Sequence, residues 1–235
     1  MLKVSCSSPN TSPNGPSNFQ FSPNMAPANK NSTPLSLSDK VIRFSEKLVS
    51  FIHWDITTSD PRLPMQDSPI KLLSERNRKI ESLNTEKSTL LQSSKGTPEL
   101  AACVELLAKK ASLPSTSTTS YKKLPPKTQS IVDATADLLL LTKQAQLDTN
   151  KALGYDPLRS KGLIISPSAC APRDAFINLC VEKVLLVSIN TESLKNQVKT
   201  LPQQTQKSLD PILASSTKKS ETMTSNLANL INAHM

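Results

Sequence analysis

Between residues 177 and 201, Ile177, Cys180, Val184, Val187, Thr191, Leu194, Val198 and Leu201 follow one another at spacings that alternate between three and four without a break. No other feature restricts the fold as strongly. An α-helix turns every 3.6 residues, so this spacing draws one continuous stripe along a helix, whereas a strand would scatter the same residues over both faces. Thr191 is the only polar member. The flanking positions Val181, Lys183, Ser188, Asn190, Lys195 and Gln197 lack the alternating charges that select partners in a zipper. The stripe therefore predicts a helix packed in a bundle core rather than a free-standing coil. Leu179, Leu185, Leu186 and Ile189 lie off the stripe, and a helix that is apolar on several sides is expected to be buried on several sides.

The rest of the chain is consistent with helices. Only 4 of 235 residues are glycine, and glycine is what allows positive φ and close backbone approach in tight turns and phosphate loops. Proline supplies the punctuation. Ser or Thr before Pro suits a helix start, with the hydroxyl as N-cap and Pro at the first helical position. On that basis Ser38 opens a helix to about Thr57, followed by Pro61 and Pro64. Ser68-Pro69 opens a second to Ser94, stopped by Gly96, and Thr97-Pro98 a third to about Ser112, stopped by Pro114. A Ser/Thr tract over 115–120 links to a fourth helix from Pro126 to Leu153, closed by Gly154. After a loop at 155–171, the fifth runs from Pro172 to about Leu201, stopped by Pro202. Asp210-Pro211 opens a sixth. The expected fold is all-α, a long-helix bundle with coiled-coil-like segments.

Residues 1–37 read as a disordered Ser/Pro/Asn-rich tail, with Ser-Pro-Asn at 8, 12 and 22 and too few apolar groups to offset the cost of ordering. The expected organisation is this tail, N-terminal helices over 38–112, a Ser/Thr/Pro linker over 113–125 and C-terminal helices over 126–235. Ser8, Ser12, Ser22, Thr33 and Ser68, each before a proline, are candidate phosphorylation sites. Ser68-Pro69-Ile70-Lys71 has the pattern preferred by cyclin-dependent kinases.

Chemistry is sparse. The dipeptide-spaced His53 and Asp55 look like an acid-base pair, but two positions on a helix diverge by about 200°, so the carboxylate cannot orient the imidazole. Trp54 between them reads as a packing or docking residue. His234, the other histidine, stands next to the last residue. Cys6, Cys103, Cys170 and Cys180 show no CxxC spacing, and four scattered thiols with two histidines do not make a zinc site. Asp133 and Asp137 read as exposed acids because no carboxylate-histidine helix completes a metal site with them. No phosphate-binding glycine motif occurs. No cofactor, metal or catalytic set is expected.

The net charge of +9 raises the question of nucleic acid. The excess is diffuse, and its densest run, Arg76-Asn77-Arg78-Lys79, lies between Glu75 and Glu81 as on a solvated helix face. No apolar run approaches the roughly 20 residues that span a bilayer, and with no hydrophobic leader an intracellular setting, cytoplasmic or nuclear, is expected. The reading at this stage is a non-enzymatic helical subunit or adaptor that binds helical proteins, or itself, through apolar faces. Its candidate interface comprises Leu73, Ile80, Leu83 and Leu90 on the second helix and Val187, Leu194, Val198 and Leu201 on the fifth. A basic helical nucleic-acid-binding protein is the alternative.

Overall fold

A computed structural model describes residues 34–59, 68–114, 116–154 and 173–232. The tail sites Ser8, Ser12, Ser22 and Thr33, the thiols Cys6 and Cys170, the 155–171 loop and His234 lie outside those residues. The described residues form seven helices and no strand, an all-α bundle: α1 (Leu37–Ser59), α2 (Pro69–Ser93), α3 (Pro98–Lys110), α4 (Thr119–Lys123), α5 (Pro126–Ala152), α6 (Arg173–Val198) and α7 (Gln203–Asn232).

The capping serine of α1 is Ser36, two residues before the expected Ser38. The Ser36 hydroxyl accepts the Asp39 amide at 3.1 Å and donates to the Asp39 carboxylate at 2.7 Å, which satisfies one orphan amide of the first turn. Ser38 instead donates to the Ser208 carbonyl and ties α1 to α7. At α2 and α3 the expected starts hold, but neither the Ser68 nor the Thr97 hydroxyl makes a cap bond. The prolines set these starts: their fixed φ fits the first turn and their missing N–H would have been an orphan there anyway. The Ser68 and Thr97 carbonyls accept the first helical amides.

Helix ends differ more. α3 stops at Lys110, ahead of Pro114, because Ser112 takes a φ of 54° and the Leu113 and Ser112 amides turn back onto the Ala108 and Lys109 carbonyls. This is a Schellman closure with Ser where glycine is usual, and Leu113 is buried beside it. Gly154 ends α5 with φ 81°, as the sequence suggested. Gly96 has no positive φ; α2 ends through Ser94, whose amide and hydroxyl both bond the Leu90 carbonyl.

Two elements depart from the expected parse. The Ser/Thr tract leads directly into α4, whose first amides, from Ser120 and Tyr121, are accepted at 3.0 Å by the two carboxylate oxygens of Glu105 on α3. A cap supplied by a distant helix is invisible to local sequence rules. Glu105→Ala leaves both amides without that acceptor, at a cost of about 1–3 kcal/mol; amide hydrogen exchange at Ser120 and Tyr121 is expected to accelerate, and unchanged exchange would show the cap to be unimportant.

The last helix begins at Gln203 and runs through Pro211 instead of starting there. An interior proline costs about 3 kcal/mol. It is exposed, and its neighbours Leu209, Ile212 and Leu213 are fully buried on the opposite side. At roughly 1.5–3 kcal/mol for each large aliphatic, their burial outweighs the lost bond.

α3 lies at the centre. Every residue from Glu99 to Ala108 is buried, and the helix packs against α1, α2, α4, α5 and α7. Its two acids are not left alone inside: Glu105 caps α4, and Glu99 accepts the Thr205 hydroxyl of α7 at 2.6 Å. α1 runs antiparallel to α2, joined by Lys47–Glu86 and Arg76–Asp55 ion pairs, and parallel to α7, joined by Ser38 to Ser208 and Lys219 to Glu46.

α5, α6 and α7 form the coiled-coil-like part. The stripe of α6 is buried from Ile177 to Leu201 without exception. On α5, Thr128, Thr135, Thr142 and Thr149 recur every seven residues beside Ile131, Leu138 and Ala145, and all are buried. Small side chains let neighbouring helices approach. The Thr135, Thr142 and Thr191 hydroxyls each donate to the carbonyl four residues back at 2.7 Å, so they bury no unpaired donor.

Candidate interaction surfaces

The histidine-aspartate pair does not come together. His53 is exposed, and both oxygens of Asp55 are taken by the Arg76 guanidinium, at 2.7 and 3.3 Å. That bond holds the Arg76 pKa above its ordinary value, through hydrogen bonding and charge. Trp54 is half-buried; it stacks near Phe51 with ring centroids 6.3 Å apart and carries the Lys79 ammonium 4.9 Å above its ring.

The two described cysteines are buried thiols. Burial pushes Cys103 up to about 12, which leaves no useful thiolate at neutral pH. Burial also raises Cys180, with the Asp148 charge adding to the effect and Lys183 opposing it. Asp133 and Asp137 hold Lys110 of α3 between them, at 3.1 and 2.7 Å. Among the described residues no three His, Cys, Asp or Glu side chains converge as a metal site would require. Two open clefts flank α6, of about 470 and 330 Å³. The larger is lined by Ser188, Thr191, Glu192, Lys195, Thr217 and Ser220 among others, with no histidine or thiol.

The run Arg76, Arg78, Lys79 is largely engaged within the chain. Arg76 is paired with Asp55, and Lys79 lies over Trp54 and 3.3 Å from Glu75. Counterion release on a polyanion needs several free cations on one surface, and of these three only Arg78 is without a partner among the described residues.

The interface residues expected from the sequence separate into two groups. Leu83, Leu90, Val187, Leu194, Val198 and Leu201 are buried within this chain, so their surface is occupied by its own helices. Ile80 is half-buried against the core, and Leu73 is 58% exposed.

One exposed apolar surface, with four large aliphatic side chains on a single helix, is one the sequence led us to expect inside. Leu179, Leu185, Leu186 and Ile189 of α6 are 44, 54, 46 and 64% exposed. At 100° per residue they occupy the side of α6 opposite its buried stripe. The helix is covered on one side only, by α5 and α7. Expecting burial on several sides assumed that every apolar face finds a neighbour in the same chain, and here none of the described residues covers it. Glu182 is the one charge within the patch.

A second apolar surface lies at the paired ends of α1 and α2. After Phe51 in α1, and before Leu83 in α2, no described residue is buried; this antiparallel pair forms an arm in which Ile52, Trp54 and Ile80 pack partly buried against the core, with the Asp55–Arg76 pair and the Trp54–Lys79 contact beside them. Ile56, Ile70 and Leu73 are 67, 80 and 58% exposed along it.

In comparisons with known proteins, no family model, no curated protein and no solved structure matches this chain. Among the described residues, no helix is long and apolar enough to cross a membrane.

Proposed function

We propose that this chain is a non-enzymatic helical subunit or adaptor of an intracellular protein assembly. The observation that carries this reading is the outer face of α6, where four large aliphatic side chains stand together in solvent across from a fully buried stripe. Scattered exposed leucines are ordinary, but a contiguous patch on one helix marks a contact site, and helices recognise such faces through i, i+3, i+4 and i+7 anchors. The arm supplies a second contact surface, as a linking subunit needs. Engagement of Arg76 and Lys79 within the chain favours protein over nucleic acid as the partner. The cytoplasm or nucleus suits a chain whose described cysteines are buried thiols.

Ser68, exposed and free of any cap bond at the end of the arm away from Phe51 and Leu83, fits this reading as a site for a proline-directed kinase. Affinity purification of the full chain from cells is expected to recover stoichiometric helical partners, and Ile189→Glu is expected to lose at least one of them while leaving the circular dichroism spectrum unchanged. Identical recovery by both forms would remove the α6 face from the proposal.

A further inference from the structure

We infer that the lysines around α4, namely Lys109, Lys122, Lys123 and Lys127, form a sequence-independent binding surface for the phosphate backbone of a nucleic-acid duplex. This goes beyond the adaptor reading, which is carried by the α6 face; either holds without the other.

Local sequence supplies the charge. Between Glu105 and Asp133 the chain has five lysines and no aspartate or glutamate. Lys110 is held by Asp133 and Asp137. Lys109, Lys122, Lys123 and Lys127 are exposed, and none of their ammonium groups has an ion pair or hydrogen bond with a described residue. The acids at the edges are occupied, Glu105 by the Ser120 and Tyr121 amides and the two aspartates by Lys110. The exposed carboxylates without an ion partner among the described residues, Glu81, Glu182, Asp210 and Glu221, are on α2, α6 and α7. The run at 76–79 has Arg76 and Lys79 engaged within the chain, whereas the lysines around α4 meet the need of a polyanion for several free cations together.

Three contacts gather these lysines. Glu105 fixes the start of α4 against α3, and Lys109 is one turn further along the same side of that helix. At the other end of α4 the Gln129 amide donates to the Leu124 carbonyl at 2.8 Å and to the Lys122 carbonyl at 3.5 Å, tying it to the first turns of α5, where Lys127 lies. Lys110 joins the end of α3 to α5 directly through Asp133. With α4 itself only about 7.5 Å long, the four lysines arise from a region on the order of 20 Å across. A duplex carries roughly 12 phosphate charges over that distance, one per about 1.7 Å.

The kind of anion follows from what the surface lacks. Tyr121, the aromatic ring of α4, is half-buried and packed against the core, so it does not stand free to stack on an unpaired base as single-strand binding requires. Among the described residues no large apolar side chain of α3, α4 or α5 is exposed to anchor in a bilayer, where charge alone contributes about 1 kcal/mol per lysine. Lysine is a hydrated point charge without the bidentate fork that arginine brings to a particular carboxylate or base. Such cations gain affinity by releasing condensed counterions, and the duplex holds a dense atmosphere of them where separate carboxylates on a peptide do not.

Fluorescence anisotropy of the full chain with a labelled DNA duplex of about 20 base pairs tests the inference. The slope of log affinity against log salt is expected near −3.6, about −0.9 for each of four phosphates, so that binding weakens roughly 150-fold between about 50 and 200 mM salt. Two unrelated sequences should bind alike, because phosphates carry no sequence information. Lys122→Gln with Lys123→Gln should bring the slope to about −1.8, with an unchanged circular dichroism spectrum because both positions are exposed. Lys207→Gln with Lys218→Gln, which removes the same charge from exposed positions of α7, should leave the slope as it was.

Absence of binding at about 50 mM salt overturns the inference. So does an equal loss of slope in both double variants, since the attraction is then spread over the whole chain. Tighter binding to a single strand of the same length, or a marked preference for one of the two sequences, would assign the contact to bases and overturn it as well. Capture by phosphatidylserine vesicles without binding to the duplex would do the same and give these lysines to a membrane surface.

Discussion

Leu107→Ala is expected to lower the stability of this chain by about 3–5 kcal/mol, the range for a buried leucine whose site cannot collapse around the loss. Leu107 is fully buried on α3, the helix that α1, α2, α4, α5 and α7 all pack against. A cavity there is lined by several helices at once, and no single one can move in to fill it without leaving another contact. Against a total of about 5–15 kcal/mol for a typical domain, the loss is a large share. A urea titration reads it as a fall in the midpoint with little change in slope. A loss below about 1 kcal/mol would show that the surroundings of α3 are loose, and the central position assigned to it would be wrong.

Val187→Asp and Leu186→Glu, adjacent on α6, should have opposite consequences. Val187 is fully buried in the stripe shared with α5 and α7. A carboxylate at that position either loses its hydration or takes up a proton, and both cost several kcal/mol. The expected loss is on the order of 4 kcal/mol or more, among the largest single-residue effects. Leu186, with roughly half its surface in solvent, should change stability by no more than about 0.5 kcal/mol when replaced by Glu, since Leu and Glu differ little in helix propensity. Thermal melts of the two variants decide the matter. Comparable destabilisation would mean that the outer face is covered within the chain, and the α6 patch would cease to be a candidate contact surface.

These two substitutions also mark how far the sequence could be read. The stripe from Ile177 to Leu201 was legible because its spacing matches the helical repeat, and all eight positions are buried. Leu186 and its neighbours were not, because hydrophobicity reports what a side chain gains by leaving water and not whether this chain provides a cover. The heptad of threonines on α5 carried a signal that was passed over. Thr128, Thr135, Thr142 and Thr149 recur at seven; the Thr135 and Thr142 hydroxyls donate to their own helix, whereas the buried Thr149 hydroxyl has no partner among the described residues.

Helix starts at prolines, the gross element order and the helical class followed from the chain itself, because proline geometry and apolar spacing act within a few residues. What only the tertiary structure decided involves groups far apart in sequence: Glu105 capping α4 across 15 and 16 residues, Glu99 meeting Thr205 across 106, and Asp55 claiming Arg76 in place of His53. The burial of α3 on every side and the passage of α7 through Pro211 belong with them. Each depends on which helix arrives beside which, a choice made by the summed packing of the whole bundle, and no local window of sequence contains that sum.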